Sequence, residues 1–172
     1  MADQAQAYDI DLALWAASQA RALRDAGHAG TNLPIDWENV AEEIEALGKS
    51  QARELASRIS IILVHLMKLH ASPATEPRAG WHETIAQQRS DIERVLADSP
   101  SLRRTIPDVV RNESGKAKRV AALALAGHGE QAKIAIGTVH YIPTLRKSGK
   151  IPCQPLLRRF CFIHDPPWLP GQ

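Results

Sequence analysis

Residues 36–71 read DWENVAEEIEALGKSQARELASRISIILVHLMKLHA. Trp37, Ala41, Ile44, Gly48, Ala52, Leu55, Ile59, Ile62, Leu66 and Leu69 recur there at intervals of three and four, the spacing of a helix that keeps one apolar seam against its neighbours. Asp36 is suited to cap the first turn, with Pro34 ahead of it and Glu38 beside the positive end of the helix dipole. The favoured reading is one helix of about 35 residues, about 50 Å long at 1.5 Å per residue. The alternative is a stop at Gly48, with Ser50 capping a fresh helix.

Outward from this stretch the same periodicity continues. Near the N-terminus, Asp9 and Asp11 stand at a helix start, and Leu12, Trp15, Gln19, Leu23 and Ala26 follow at helical spacing until Gly27. His28–Pro34 reads as a loop, as does Ser72–Gly80. A third helix then carries Trp81, Ile85, Gln88, Ile92 and Val95 on one face. Ser99 and Pro100 read as an N-cap with proline at the first position, opening a short turn that Pro107 interrupts. A fourth helix runs from about Asp108 to Gly127 or a little beyond. Trp15, Trp37 and Trp81 fall on three separate seams and read as packing anchors. No alternating pattern with hairpin turns occurs here, so the fold class is all-α, a helical bundle of about four main helices. The bundle is assigned to residues 1–136. Six of the 11 prolines lie between Tyr141 and Gln172, so residues 137–172 are assigned to a proline-rich irregular arm. Its Leu156, Leu157, Phe160, Phe162 and Trp168 are expected to pin it on the bundle or on a partner.

Composition excludes several classes. At 44% hydrophobic and 23% charged over 172 residues, the chain has the make-up of a folded domain rather than a disordered one. No apolar run approaches the ~18–20 residues of a membrane span, and MADQAQAYDIDLALW lacks the features of a secretory leader. Cys153 and Cys161 form no C-x-x-C pair, so neither zinc nor a disulfide framework is suggested. A cytoplasmic location follows as the expectation. The near-neutral total, +2, hides an asymmetry. Residues 1–100 hold 9 basic and 15 acidic side chains, residues 101–172 hold 12 basic and 4 acidic. Attraction between the two parts, within one fold or across a homodimer, is the plainer reading. Nucleic-acid binding by the basic part is the alternative and is not favoured.

Few residues suggest chemistry. Glu38, Glu42 and Glu45 share one helix side and Glu43 lies on the opposite flank of the seam, but no glutamate is followed by histidine three residues later, as a carboxylate di-metal bundle requires. His65 and His70 are five apart, about 140° around the axis, which keeps them from one metal ion. No phosphate-binding glycine loop, nucleophile elbow or H-E-x-x-H motif is present. Neither a metal nor a cofactor is expected. More informative are polar side chains that interrupt the apolar stripes: Gln19, His65 and Gln88, with Arg89 beside the last. With helices two and three antiparallel, His65 and Gln88 both fall about 10 Å from the connecting loop. The candidate polar cluster is therefore Glu43, His65, Lys68, Gln88 and Arg89, with Gln19 a second polar position. It is either a satisfied core network that fixes helix register or a pocket around a histidine of perturbed pKa.

Several ordered blocks recur together: Tyr8, Asp9 and Asp11; Trp15 and Gln19; Glu42, Glu43, Glu45 and Gly48; His65 and Lys68; Trp81, Ile85, Gln88 and Arg89. On these blocks, from Tyr8 to Ile106, the chain resembles the bacterial domain-of-unknown-function family number twenty-nine. The resemblance implies a small all-helical protein and assigns no reaction, cofactor or ligand. The expected role is a non-enzymatic helical protein acting through protein–protein contacts, with self-association as a homodimer. The alternatives are a ligand binder or enzyme using the cluster around His65, and nucleic-acid binding through residues 101–172.

Overall fold

The computed structural model describes residues 3–30 and 32–130. Within them the chain forms α1 (Asp3–Ile10), α2 (Leu12–His28), α3 (Trp37–Ala71), α4 (Arg78–Asp98), a 3₁₀ segment (Pro100–Thr105) and α5 (Ile106–Ala126). No strand occurs among the described residues. The all-α bundle expected from the periodicity is the fold, with the short α1 added to four main helices. The proline-rich arm assigned to 137–172, and the boundary before it, lie outside the described residues.

The helix α3 runs unbroken for 35 residues. The Asp36 carboxylate accepts from the Asn39 N–H at 3.3 Å and caps it as expected. Gly48 does not end the helix. A Cβ built there would lie 3.1 Å from the Ala13 carbonyl oxygen and 3.4 Å from the Ala13 Cα. The glycine is therefore needed where α2 crosses α3 closely, not for chain reversal. Gly48→Leu is expected to push the two helices apart at a cost of about 1–3 kcal/mol, read as a lower urea midpoint at unchanged slope.

The N-terminal helix starts at Asp11 as expected, and the short α1 precedes it. Asp11 has extended backbone, φ −156°, and divides α1 from α2. Its carboxylate accepts from the Leu14 N–H at 2.9 Å, from the Ser101 N–H at 2.6 Å and from the Ser101 hydroxyl at 3.0 Å. The fully buried Ser99 completes the joint: its hydroxyl accepts from the Ala13 N–H at 3.2 Å instead of capping the 3₁₀ segment. Gly27 falls inside the last turn of α2, where a Cβ would meet the Trp37 Cβ at 2.8 Å. The chain reverses at Gly30, with φ +75°. The short turn opened at Pro100 ends at Thr105, just ahead of Pro107. Pro107 occupies the first turn of α5, where no N–H partner is required, so α5 starts at Ile106 rather than Asp108.

The spine of the bundle is α3, which packs against α2, α4 and α5. Its N-terminal half faces α2, antiparallel, with Arg24 bound to Glu38 at 2.8 Å and to Glu45 at 2.9 Å. Its C-terminal half faces α4, also antiparallel: Arg58 meets Asp91 at 2.8 Å, and the Lys68 ammonium lies 5.8 Å from the centre of the Trp81 ring. Consequently α2 and α4 follow one another along α3 and meet at the Asp11–Ser99–Ser101 joint. Leu55, Ile59, Ile62, Leu63, Val64 and Leu69 of α3 are buried with Ile85, Ile92, Val95 and Leu96 of α4. Ala16 and Ala20 of α2, and Ala117, Ala121 and Leu125 of α5, supply mainly small side chains that allow close helix approach. Ala52, read as part of the seam, is exposed. Trp15 packs edge-on against Tyr8, ring centres 4.8 Å apart, and Trp37 abuts Gly27, so each tryptophan of the bundle does anchor a helix contact.

Candidate functional site

The main polar group between α3 and α4 is centred on Asp91, a buried carboxylate in the apolar stripe Ile85–Gln88–Ile92–Val95. Arg58 enters from α3. Its Nη1 donates to Asp91 Oδ2 at 2.8 Å and to Gln88 Oε1 at 3.2 Å, while its Nη2 meets Glu54 Oε1 at 3.2 Å. Asp91 Oδ1 accepts from Gln87 Nε2 at 3.0 Å and is held by the Arg94 guanidinium. Hydrogen bonding from Arg94 lowers the Asp91 carboxyl below the usual carboxylate range. Gln87 and the charges of Arg58 and Arg94 add to this, against burial, which alone would raise it.

Two consequences follow. First, both Asp91 oxygens are engaged and the group stays ionised, so Asp91 is not poised as a general base near neutrality. Second, the native state binds fewer protons than the unfolded chain as this group titrates. Its contribution to stability is full above the ordinary Asp pKa of about 4 and is lost as pH falls through the lowered native value. Glu45, held down by Arg24 and then by Lys49, acts in the same direction. Urea midpoints measured between about pH 6 and pH 3 are expected to fall with acid in the wild type. The fall should be shallower in Asp91→Asn, which starts from a lower midpoint at neutral pH.

The structure disperses the cluster read from periodicity. Gln88 is buried, but its carbonyl faces Arg58. His65 is half-buried and its Nδ1–H donates to the Ile61 carbonyl of its own helix at 2.9 Å. Lys68 rests over Trp81. The contacts Lys68–Trp81 and Arg58–Asp91 fix a register in which Gln88 lies level with Arg58, about two turns down the helix from His65. Arg89 is exposed on α4. Glu43 is exposed on the N-terminal half of α3 and, because the helix is unbroken, about 33 Å along its axis from His65. Gln19 is half-buried on α2. Arg58 and Asp91 were not singled out by the sequence, although Asp91 carries a detectable signal as a carboxylate between Gln88 and Ile92 on the inward face. Among the described residues no group of three or more His, Cys, Asp or Glu side chains is placed to hold a metal ion.

Residues 7–131 match the model of the family described as Domain of unknown function DUF29. The chain is also similar to an α-helical protein of unknown function from Rhodospirillum rubrum, known from a crystal structure. The two share 29% identity and a TM-score of 0.61, over 73% of this chain and 80% of that one. Comparison with curated proteins found no match.

Proposed function

We propose that this chain, which belongs to the family Domain of unknown function DUF29, is a non-enzymatic helical protein that works through protein–protein contacts and pairs with a second copy of itself in a bacterial cytoplasm. One observation carries this reading. Tyr8, Ile10 and Leu14 at the α1–α2 corner are 50%, 59% and 59% exposed, and Leu47 on α3 is 44% exposed. Leu14 and Leu47 adjoin, in sequence, the crossing where Ala13 meets Gly48, so the four side chains belong to one end of the α2–α3 pair. Single exposed aliphatic residues are ordinary, whereas several at one corner favour an interface. An apolar patch is self-complementary about a two-fold axis, which suits a homodimer.

The alternative at His65 draws less support, since its Nδ1 is used within α3, while Gln88 and Asp91 are engaged by Arg58, about two turns away along α3. No helix among the described residues is long and apolar enough to cross a membrane. Light scattering tests the proposal. The wild-type mass is expected to rise toward twice 18.9 kDa with concentration, and Leu14→Glu to hold it at 18.9 kDa with unchanged helicity. A wild-type monomer at the highest soluble concentration would reject it.

A further inference from the structure

We infer that the 3₁₀ segment and α5 form a cationic ridge that binds the phosphate backbone of duplex nucleic acid without reading its sequence. From Arg103 to Arg119 the chain holds six cations and only two carboxylates, Asp108 and Glu113. Both carboxylates are engaged within α5, by Arg111 at 2.7 Å and Lys116 at 2.8 Å. Among the described residues, Arg103, Arg104, Lys118 and Arg119 make no ion pair. Arg103, Arg104 and Arg119 are exposed and Lys118 is half-buried. Within the described residues no ion pair joins them to the acidic part of the chain. Of the acids of α2 and α3, Glu38 and Glu45 pair with Arg24 and Lys49 of the same helices, and Glu54 with Arg58.

Their placement is orderly. Ala117, Ala121 and Leu125 are buried on the inner face of α5, which fixes the rotation of the helix. With 3.6 residues per turn, Arg111, Gly115, Lys118 and Arg119 then share an arc of about 100° beside that buried stripe. A Cβ built at Gly115 meets nothing within 4 Å, so the middle of the arc is open to the close approach of a strand. Residues 103–119 carry four more cations than carboxylates, while residues 1–100 carry six more acids than bases. A polyanion is therefore drawn to one part of the molecule and repelled from another.

The composition of the ridge selects the partner. No Phe, Tyr or Trp lies between Leu102 and Glu130, and His128 is beyond the end of α5, so the ridge itself offers no platform on which unpaired bases could stack, as single-strand binders require. Interfacial membrane helices pair their cations with a broad apolar face, whereas the large exposed apolar side chains of α5 are two, Val120 and Leu123. Duplex phosphates need only the spaced, solvated cations that the ridge supplies.

Fluorescence anisotropy of the full chain with a labelled duplex DNA of about 20 base pairs tests the inference. Binding is expected at low salt, weakening so that log K falls against log salt with a slope of about −3 to −4, as three or four neutralised phosphates require. Sequence-scrambled duplexes should bind alike. Arg104→Gln and Arg119→Gln at exposed sites, and Lys118→Gln at a half-buried one, should each make the slope shallower by about 1 while leaving the circular dichroism unchanged. Four results would overturn it: no binding at low salt, a slope indifferent to these substitutions, tighter binding to single strands, or tighter binding to vesicles of anionic lipid.

Discussion

Leu55→Ala is expected to lower the unfolding free energy by about 3–5 kcal/mol, the upper part of the range for a leucine truncated in a core. Leu55 is fully buried in the middle of α3, beyond the Gly48 crossing and ahead of the Arg58 network. Truncation removes the transfer free energy of the side chain and leaves a cavity. The cavity is hard to collapse, because α3 is packed against three helices, α2, α4 and α5. Leu125→Ala removes an equally buried leucine, but from the last turn of α5, which is freer to settle inward. Its cost should be smaller, about 2–3 kcal/mol. Urea or thermal unfolding of both variants checks this order, and equal costs would show that the spine relaxes as readily as a helix end.

The second large effect is expected at Asp11. Asp11→Ala removes the N-cap of α2 and leaves the Ser101 N–H without its carboxylate, at a cost of about 2–4 kcal/mol. Asp11→Asn keeps one acceptor oxygen and should recover about half of the loss. Ser101→Ala removes only the hydroxyl donor and should cost about 1 kcal/mol. If Asp11→Ala proves no worse than Ser101→Ala, the joint is a surface contact and not the clasp between the N-terminus and the 3₁₀ segment.

These two residues also show what one sequence discloses about this fold. Leu55 was legible because its burial follows from local periodicity, which depends only on residues three and four away. The capping role of Asp11 was half legible: an aspartate near a helix start is a local signal, but the reason the helix divides at that residue lies 90 positions away, at Ser101. Gly48 was ambiguous for the same reason. A helix terminator and a helix crossing look alike along the chain, and the atoms that decide between them belong to Ala13. Pro107 was legible as the punctuation between the short turn and the fourth helix, because a proline in a first helical turn is a local signal.

In the candidate site, Gln88 was found as a polar break in an apolar stripe. Its partner was not, because the register between α3 and α4 is set by tertiary contacts such as Lys68–Trp81. Glu43 was grouped with His65 as a candidate pocket partner, whereas an unbroken α3 keeps the two far apart. The charge asymmetry was visible in composition, but its disposition was not. Glu38 and Glu45 are paired with cations of the same two helices, and Arg103, Arg104, Lys118 and Arg119 make no ion pair among the described residues.

The proposal that the α1–α2 corner joins two copies is tested most directly by amide hydrogen exchange on the full chain, at a dilute and at a concentrated condition. On concentrating, slower exchange is predicted in the peptides covering Tyr8–Trp15 and Leu47, with the Arg58–Asp91 layer unchanged. Slowing confined to other segments, or no difference between the two concentrations, would contradict it.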